Sequence, residues 1–107
     1  MIEAAARFLF YWEQPTDIDA FDRHYRATHI PLARKLPGLR SYTLTDDISG
    51  VRGEPWFRIA ELRWDTMDDL HAAIASDEGR AVADDVANLV RYAAGRAVVL
   101  GAPEALV

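Results

Sequence analysis

The sequence predicts an α+β domain of order β-α-β-β-α-β, with a four-stranded antiparallel sheet and its helices on one side. Three observations carry this. Residues 56–64 alternate with period two, placing Trp56, Arg58, Ala60, Leu62 and Trp64 on one face and Phe57, Ile59, Glu61 and Arg63 on the other. Ile18, Phe21, Tyr25, Leu32 and Leu36 recur at helical spacing. The segments run strand, helix, strand, strand, helix pair, strand, which is the order of two split β-α-β units. The 107 residues fit a single domain spanning 1–107.

The first strand is residues 7–12, an aromatic run too short for a helix between its flanks. Phe8, Phe10 and Trp12 share one face, Leu9 and Tyr11 the other, so both faces need cover. Thr16 or Asp17 can cap the helix that follows. Pro31 lacks an N–H and disfavours helical geometry at Ile30, which predicts a kink or break within 28–31. Pro37-Gly38 ends that element. Residues 39–45 read as the second strand, 46–55 as a polar loop and 56–64 as the third strand. Thr66 to Asp69 resembles a capping box opening a short helix through Ala75. Ser76 caps a longer helix over 81–92, Gly95 punctuates, and 97–100 is the last strand. With helices on one face only, the other apolar sheet face implies a partner, most simply a second copy related by a two-fold axis.

Composition removes several classes. The net charge is −5 and the only Lys is Lys35, so the positive face that a nucleic-acid binder needs is missing. With no Cys there is no disulfide, thiolate metal site or Cys nucleophile. No apolar run approaches the roughly 20 residues that span a bilayer. An acid, Glu3, stands where a leader peptide needs a basic stretch, so the reading is a cytoplasmic protein without membrane association. No phosphate loop is present, and nucleotide binding has no support.

His29-Ile30-Pro31-Leu32, then Leu36-Pro37-Gly38-Leu39 and Tyr42, preceded by Phe21 and Tyr25, resembles the EthD family of dimeric α+β barrels. Ile59-Ala60-Glu61-Leu62 with Trp64, and Ser76-Asp77-Glu78-Gly79 leading to Ala83-Asp84, add to the likeness, which spans residues 7–100. The resemblance implies a ferredoxin-like protomer, a homodimer joined through its sheet faces, and a pocket between sheet and helices. Its wider superfamily includes cofactor-free monooxygenases, lactone isomerases and polyketide cyclases, so fold alone leaves the reaction open. The motif histidine corresponds to His29.

His29 is the candidate catalytic residue, since a neutral-range imidazole can act as general acid or base. The competing role is a donor to a carbonyl freed by Pro31. Tyr11, Tyr25, Tyr42, Trp56 and Trp64 are the candidate substrate-binding residues, rings suited to an apolar or aromatic ligand. His24 reads as a rim residue, His71 as partly packed, and Asp84-Asp85 as solvated helix surface. Arg40 and Arg58 alternate on strands and can pair with Glu61 or hold a carboxylate, surface pairing being the commoner fate. The three His lie on two helices with no i, i+4 pair, so no metal is expected, and the resemblance implies chemistry without a cofactor. Two functions follow: a cofactor-independent enzyme acting on an apolar, aromatic or polyketide-like compound by oxygenation, isomerisation or cyclisation, or a non-catalytic binder or accessory dimer for a neighbouring oxidase.

Overall fold

The computed structural model describes residues 6–107; Glu3, on which the leader reading rests, lies outside them. Strand β1 (Ala6–Trp12) leads into helix α1 (Ile18–His24), a π-helical turn (Tyr25–His29) and the short helix α2 (Ile30–Ala33). Strands β2 (Ser41–Thr45) and β3 (Arg58–Trp64) follow, then helices α3 (Met67–Ala75) and α4 (Asp77–Leu89) and strand β4 (Gly95–Leu100). The sheet order is β2-β3-β1-β4 with every neighbouring pair antiparallel. β3 separates β1 from β2, and β1 separates β3 from β4, which makes two split β-α-β units in a ferredoxin-like α+β fold.

Register sets the two faces. Phe8 lies opposite Leu62, Phe10 opposite Ala60 and Trp12 opposite Arg58, all on the side that the helices cover. Leu9, Tyr11, Ile59 and Val98 point the other way and stay half-buried. Central β1 is thus apolar on both sides, as its sequence requires.

The helix does not break at Pro31. Ile30 stays helical, with φ −59° and ψ −48°, and its N–H reaches five residues back to the Tyr25 carbonyl. One extra residue is taken up in a wide turn just before the proline, which relieves the missing N–H without a sharp stop. That insertion also rotates the register of everything after it. The inward residues are Phe21, Tyr25, His29, Ala33 and Leu36, at 0%, 1%, 7%, 2% and 8% exposure, so Ala33 occupies the inward position expected for Leu32. Three successive steps of four overrun the 3.6-residue period by about one residue, the amount a π turn supplies.

The caps behave as the sequence predicts: Asp17 accepts from the Ala20 N–H, Thr66 from Asp69 and Ser76 from Gly79. Alternation fails at one point. Trp56 lies before β3 and packs on Tyr11 of the uncovered face, ring centroids 5.3 Å apart, whereas Phe57 turns in against Phe21. The pleat that enforces alternation begins only at Arg58. Gly95 does not end an element but starts β4, because a side chain there would collide with the Phe10 ring. Gly79 likewise lets α4 press against the Ala73 and Ile74 carbonyls at the end of α3.

Candidate functional site

A cavity of about 120 Å³ lies between the helix side of the sheet and the helices. Phe8, Phe10 and Trp12 of β1, Ala60, Leu62 and Trp64 of β3, and Tyr42 of β2 form its floor. Tyr25, His29 and Ala33 come from the first helical segment, Ile74 from α3, and Gly79, Val82 and Ala83 from α4. No Asp, Glu, Lys or Arg lines it. Ile74, 45% exposed, stands where this lining reaches the surface. The Trp64 indole N–H is committed to the Pro37 carbonyl at 2.9 Å.

The wide turn brings His29 inward beside Tyr25, with ring centroids 5.1 Å apart. His29 Nδ1 lies 2.9 Å from Oδ2 of Asp85, and His24 Nε2 lies 2.8 Å from Oδ1 of the same carboxylate. Asn88 donates to that Oδ1 at 3.0 Å. Burial opposes the charge on Asp85, but hydrogen bonds from Asn88, His24 and His29 outweigh it and hold the carboxyl below its ordinary range. Burial pushes the His29 imidazole below its usual 6.5, only partly offset by Asp85. An ionised carboxylate accepts only, so neutral His29 donates from Nδ1 and keeps its lone pair on Nε2. Among the described residues Nε2 has no hydrogen-bond partner.

Three expectations change here. Asp85 is not solvated surface: it is 6% exposed and joins two histidines. His24 is a half-buried partner of that carboxylate rather than a free rim residue. His29 does not serve a carbonyl freed by Pro31, since its Nδ1 goes to Asp85. The signal for Asp85 was present: it stands three after Val82 and four before Leu89, on the inward stripe of α4. Asp84, one residue away, is exposed.

Arg58 departs from a surface role even further. It is 2% exposed, donates through Nε and Nη2 to Asp46 at 2.7 and 2.9 Å, and through Nη2 to Asp22 at 2.9 Å. Its guanidinium carbon lies 4.8 Å from the Tyr25 ring centroid, 5.4 Å from that of Phe57 and 5.9 Å from that of Phe21. Arg40 meets Asp65 at the surface, and Arg63 takes Glu61. His71 is exposed rather than partly packed, because Leu70 and Ala73 occupy the inward stripe of α3.

Of the candidate binding residues, Tyr25, Tyr42 and Trp64 line the cavity with His29. Tyr11 and Trp56 pack on each other, rings tilted, on the opposite face of the sheet, because residue 11 is odd in the β1 alternation and Trp56 precedes the β3 pleat. The Tyr25 and Tyr42 hydroxyls lie 3.4 Å apart, and burial pushes both phenols above their usual range, so both are protonated at neutral pH. Among the described residues, no group of three or more His, Asp or Glu is placed to hold a metal ion. No helix of the described residues is long and apolar enough to cross a membrane.

Comparison with known proteins bears on this geometry. An uncharacterised 11.0 kDa protein encoded in a thcB-thcC intergenic region of Rhodococcus erythropolis is 30% identical over 96 residues, covering 88% of this chain and 89% of that one. A crystal structure of an EthD family protein from Bacillus halodurans superposes with a TM-score of 0.76 at 31% identity, over 88% of this chain and 96% of that one. A point mutant of the cofactor-independent oxygenase SnoaB of Streptomyces nogalater gives 0.66 at 15% identity over 97% and 98% of the two chains, a likeness of fold alone. A dimeric ferredoxin-like protein of Thermobifida fusca also gives 0.66, at 16% identity over 94% of each chain. The EthD domain model matches residues 13–91, a span that holds the wide turn, His29 and Asp85 together. The chain belongs to the EthD family.

Proposed function

We propose that this protein is a cofactor-independent small-molecule enzyme in which His29, oriented by Asp85, takes a proton from an apolar, aromatic or polyketide-like compound. The observation that carries this reading is the divided imidazole: Nδ1 is fixed on a carboxylate, Nε2 has no partner among the described residues, and the ring lines a largely apolar cavity. A buried carboxylate behind an imidazole selects the tautomer and stabilises the cation formed when the ring accepts a proton. Family membership and the fold shared with a cofactor-independent oxygenase support small-molecule chemistry or binding. Tyr25, Tyr42 and Trp64 serve as walls. Tyr11 and Trp56 belong to the uncovered face, where a second copy docks sheet against sheet, a reading supported by the dimeric ferredoxin-like neighbours.

Two measurements test this. Long-range proton–nitrogen NMR at pH 7 should find His29 neutral and protonated at Nδ1, with D85N losing that preference; an imidazolium at pH 7 would overturn the base role. Native mass spectrometry should report a dimer and any co-purifying compound, and a monomer at micromolar concentration would sink the sheet pairing. With that compound as substrate, His29→Gln should cut turnover by about 10²-fold or more. Binding without turnover in the unaltered protein would make it a binder or an accessory dimer.

A further inference from the structure

The polar atoms of the cavity do not balance. Tyr25 and Tyr42 each carry one hydroxyl proton, and the single contact between them, at 3.4 Å, can use only one. Whichever hydroxyl donates, the other keeps a proton with no acceptor among the described residues. Trp12, edge-on to Tyr25 with ring centroids 6.3 Å apart, adds a buried indole N–H that acts on the Tyr25 hydroxyl as a donor without closing a well-formed hydrogen bond. Besides the two hydroxyl oxygens, the acceptor beside these donors among the described residues is the lone pair of His29 Nε2, four residues along the helix from Tyr25. One tyrosine proton is therefore left over at this end, and a titrating acceptor lies beside it. Such a pole fits a ligand that brings an oxygen acceptor and an acidic hydrogen close together. The lining carries no Lys or Arg, and Arg58 is matched by Asp46 and Asp22, so an anionic ligand would be buried without a counter-charge. The space of about 120 Å³ suits one ring.

We infer that the hydroxyl pair of Tyr25 and Tyr42 is an oxygen-binding donor site, and that the substrate class is a neutral, single-ring carbonyl compound bearing an α-hydrogen. This rests on the proposed role of His29 and extends it. The carbonyl oxygen accepts the uncommitted tyrosine proton. His29 Nε2 then removes the α-hydrogen: the C–H bond breaks, its electron pair moves to the carbonyl as an enolate, and the proton stays on the imidazole beside Asp85. Donors placed where negative charge develops stabilise that step most. In a ring that carries a β,γ double bond, returning the proton to the γ-carbon of the resulting dienolate shifts that double bond and completes an isomerisation without any oxidant.

The test pairs cyclohexanone with methylenecyclohexane, which has the same shape but a CH₂ group in place of the oxygen, using the full chain and ligand-detected NMR. Cyclohexanone should bind about tenfold tighter, the scale of one good hydrogen bond in a dry site. The double variant Y25F/Y42F, which removes both hydroxyls, should erase that preference, whereas either single variant leaves one uncommitted hydroxyl proton and keeps part of it. Equal binding of the two probes to the unaltered protein, or a preference that survives the double variant, overturns the oxygen site and leaves His29 untouched. Failure of both probes to bind overturns the site and the cavity reading together. Exchange of the cyclohexanone α-hydrogens in D₂O then isolates the base. Faster exchange that H29Q abolishes supports the whole scheme, whereas selective binding with no exchange keeps the oxygen site and removes His29 as the base.

Discussion

Two buried charge clusters sit at either side of Tyr25, and they are built on opposite plans. Around Arg58, one cation is held by two carboxylates from α1 and the loop before β3, with three aromatic rings against its plane. Around Asp85, one anion is held by two histidines from the first helical segment and by Asn88. The first cluster ties elements together and does not border the cavity. In the second, the buried charge reaches the cavity through a ring whose far nitrogen has no partner. A buried ion is costly in either place, so its surroundings reveal its use. Where carboxylates hold the charge away from the cavity, as at Arg58, whose buried Nη1 makes no hydrogen bond, it fixes structure; where one partner can titrate against a cavity, chemistry becomes available.

The sharpest way to break the contrast is Arg58→Ala. It removes a guanidinium packed against Phe21, Tyr25 and Phe57, leaves Asp46 without its cation and leaves Asp22 with Arg26 alone. The expected loss is about 3 kcal/mol or more, read as a lower urea midpoint. A change within about 0.5 kcal/mol, the range of ordinary surface substitutions, would mean that Arg58 does not hold the fold.

Acid sharpens the same contrast by separating the clusters in pH. His29 has its pKa lowered on folding, so its contribution is complete above the ordinary value of 6.5 and is lost as pH falls through the folded value. Asp22, Asp46 and Asp85 are also lowered, and their contribution is complete above about 3.8 and fails below it. Both trends have one sign: stability falls toward acid, first through His29 and then through the carboxylates. Melting temperature against pH should show two stages, with His29→Gln flattening the upper one only. A single stage beginning below pH 4 in the unaltered protein would remove the histidine from this account.

Most of the architecture was legible in the sequence because period and caps act locally. Asp17, Thr66 and Ser76 mark helix starts through contacts three residues away, and the alternation from Arg58 to Trp64 survives as the buried stripe of β3. His29, Tyr25, Tyr42 and Trp64 were found because they lie on those stripes or in the family motif. The misses were long-range. Asp85 joins residues 56 and 61 positions away, a distance over which an acid on an apolar stripe is easily taken for a solvated one. Arg58 finds one of its carboxylates in an irregular loop with no period to read. The wide turn at Tyr25–His29 was missed because Pro31 announces a lost hydrogen bond without saying whether the helix will stop or widen.

The smallest expected effect concerns Asn88, a member of the Asp85 cluster that does not line the cavity. Its amide donates at 3.0 Å to the oxygen that also takes His24, leaving the other oxygen to His29. Asn88→Ala removes a hydrogen bond to a charged acceptor on an exposed stretch of α4, where water can replace it, so about 0.5 kcal/mol of stability is the expected cost. Asn88 is also among the groups that keep Asp85 acidic, and its loss should let that carboxyl titrate higher. The His29 tautomer should not respond, because Oδ2 keeps its bond to Nδ1. NMR titration of Asp85 and His29 in the variant reads both quantities at once. If the imidazole titration moved as far as that of the carboxyl, the two oxygens of Asp85 would not divide their duties, and the contrast between a structural cluster and a working one would narrow to His29 alone.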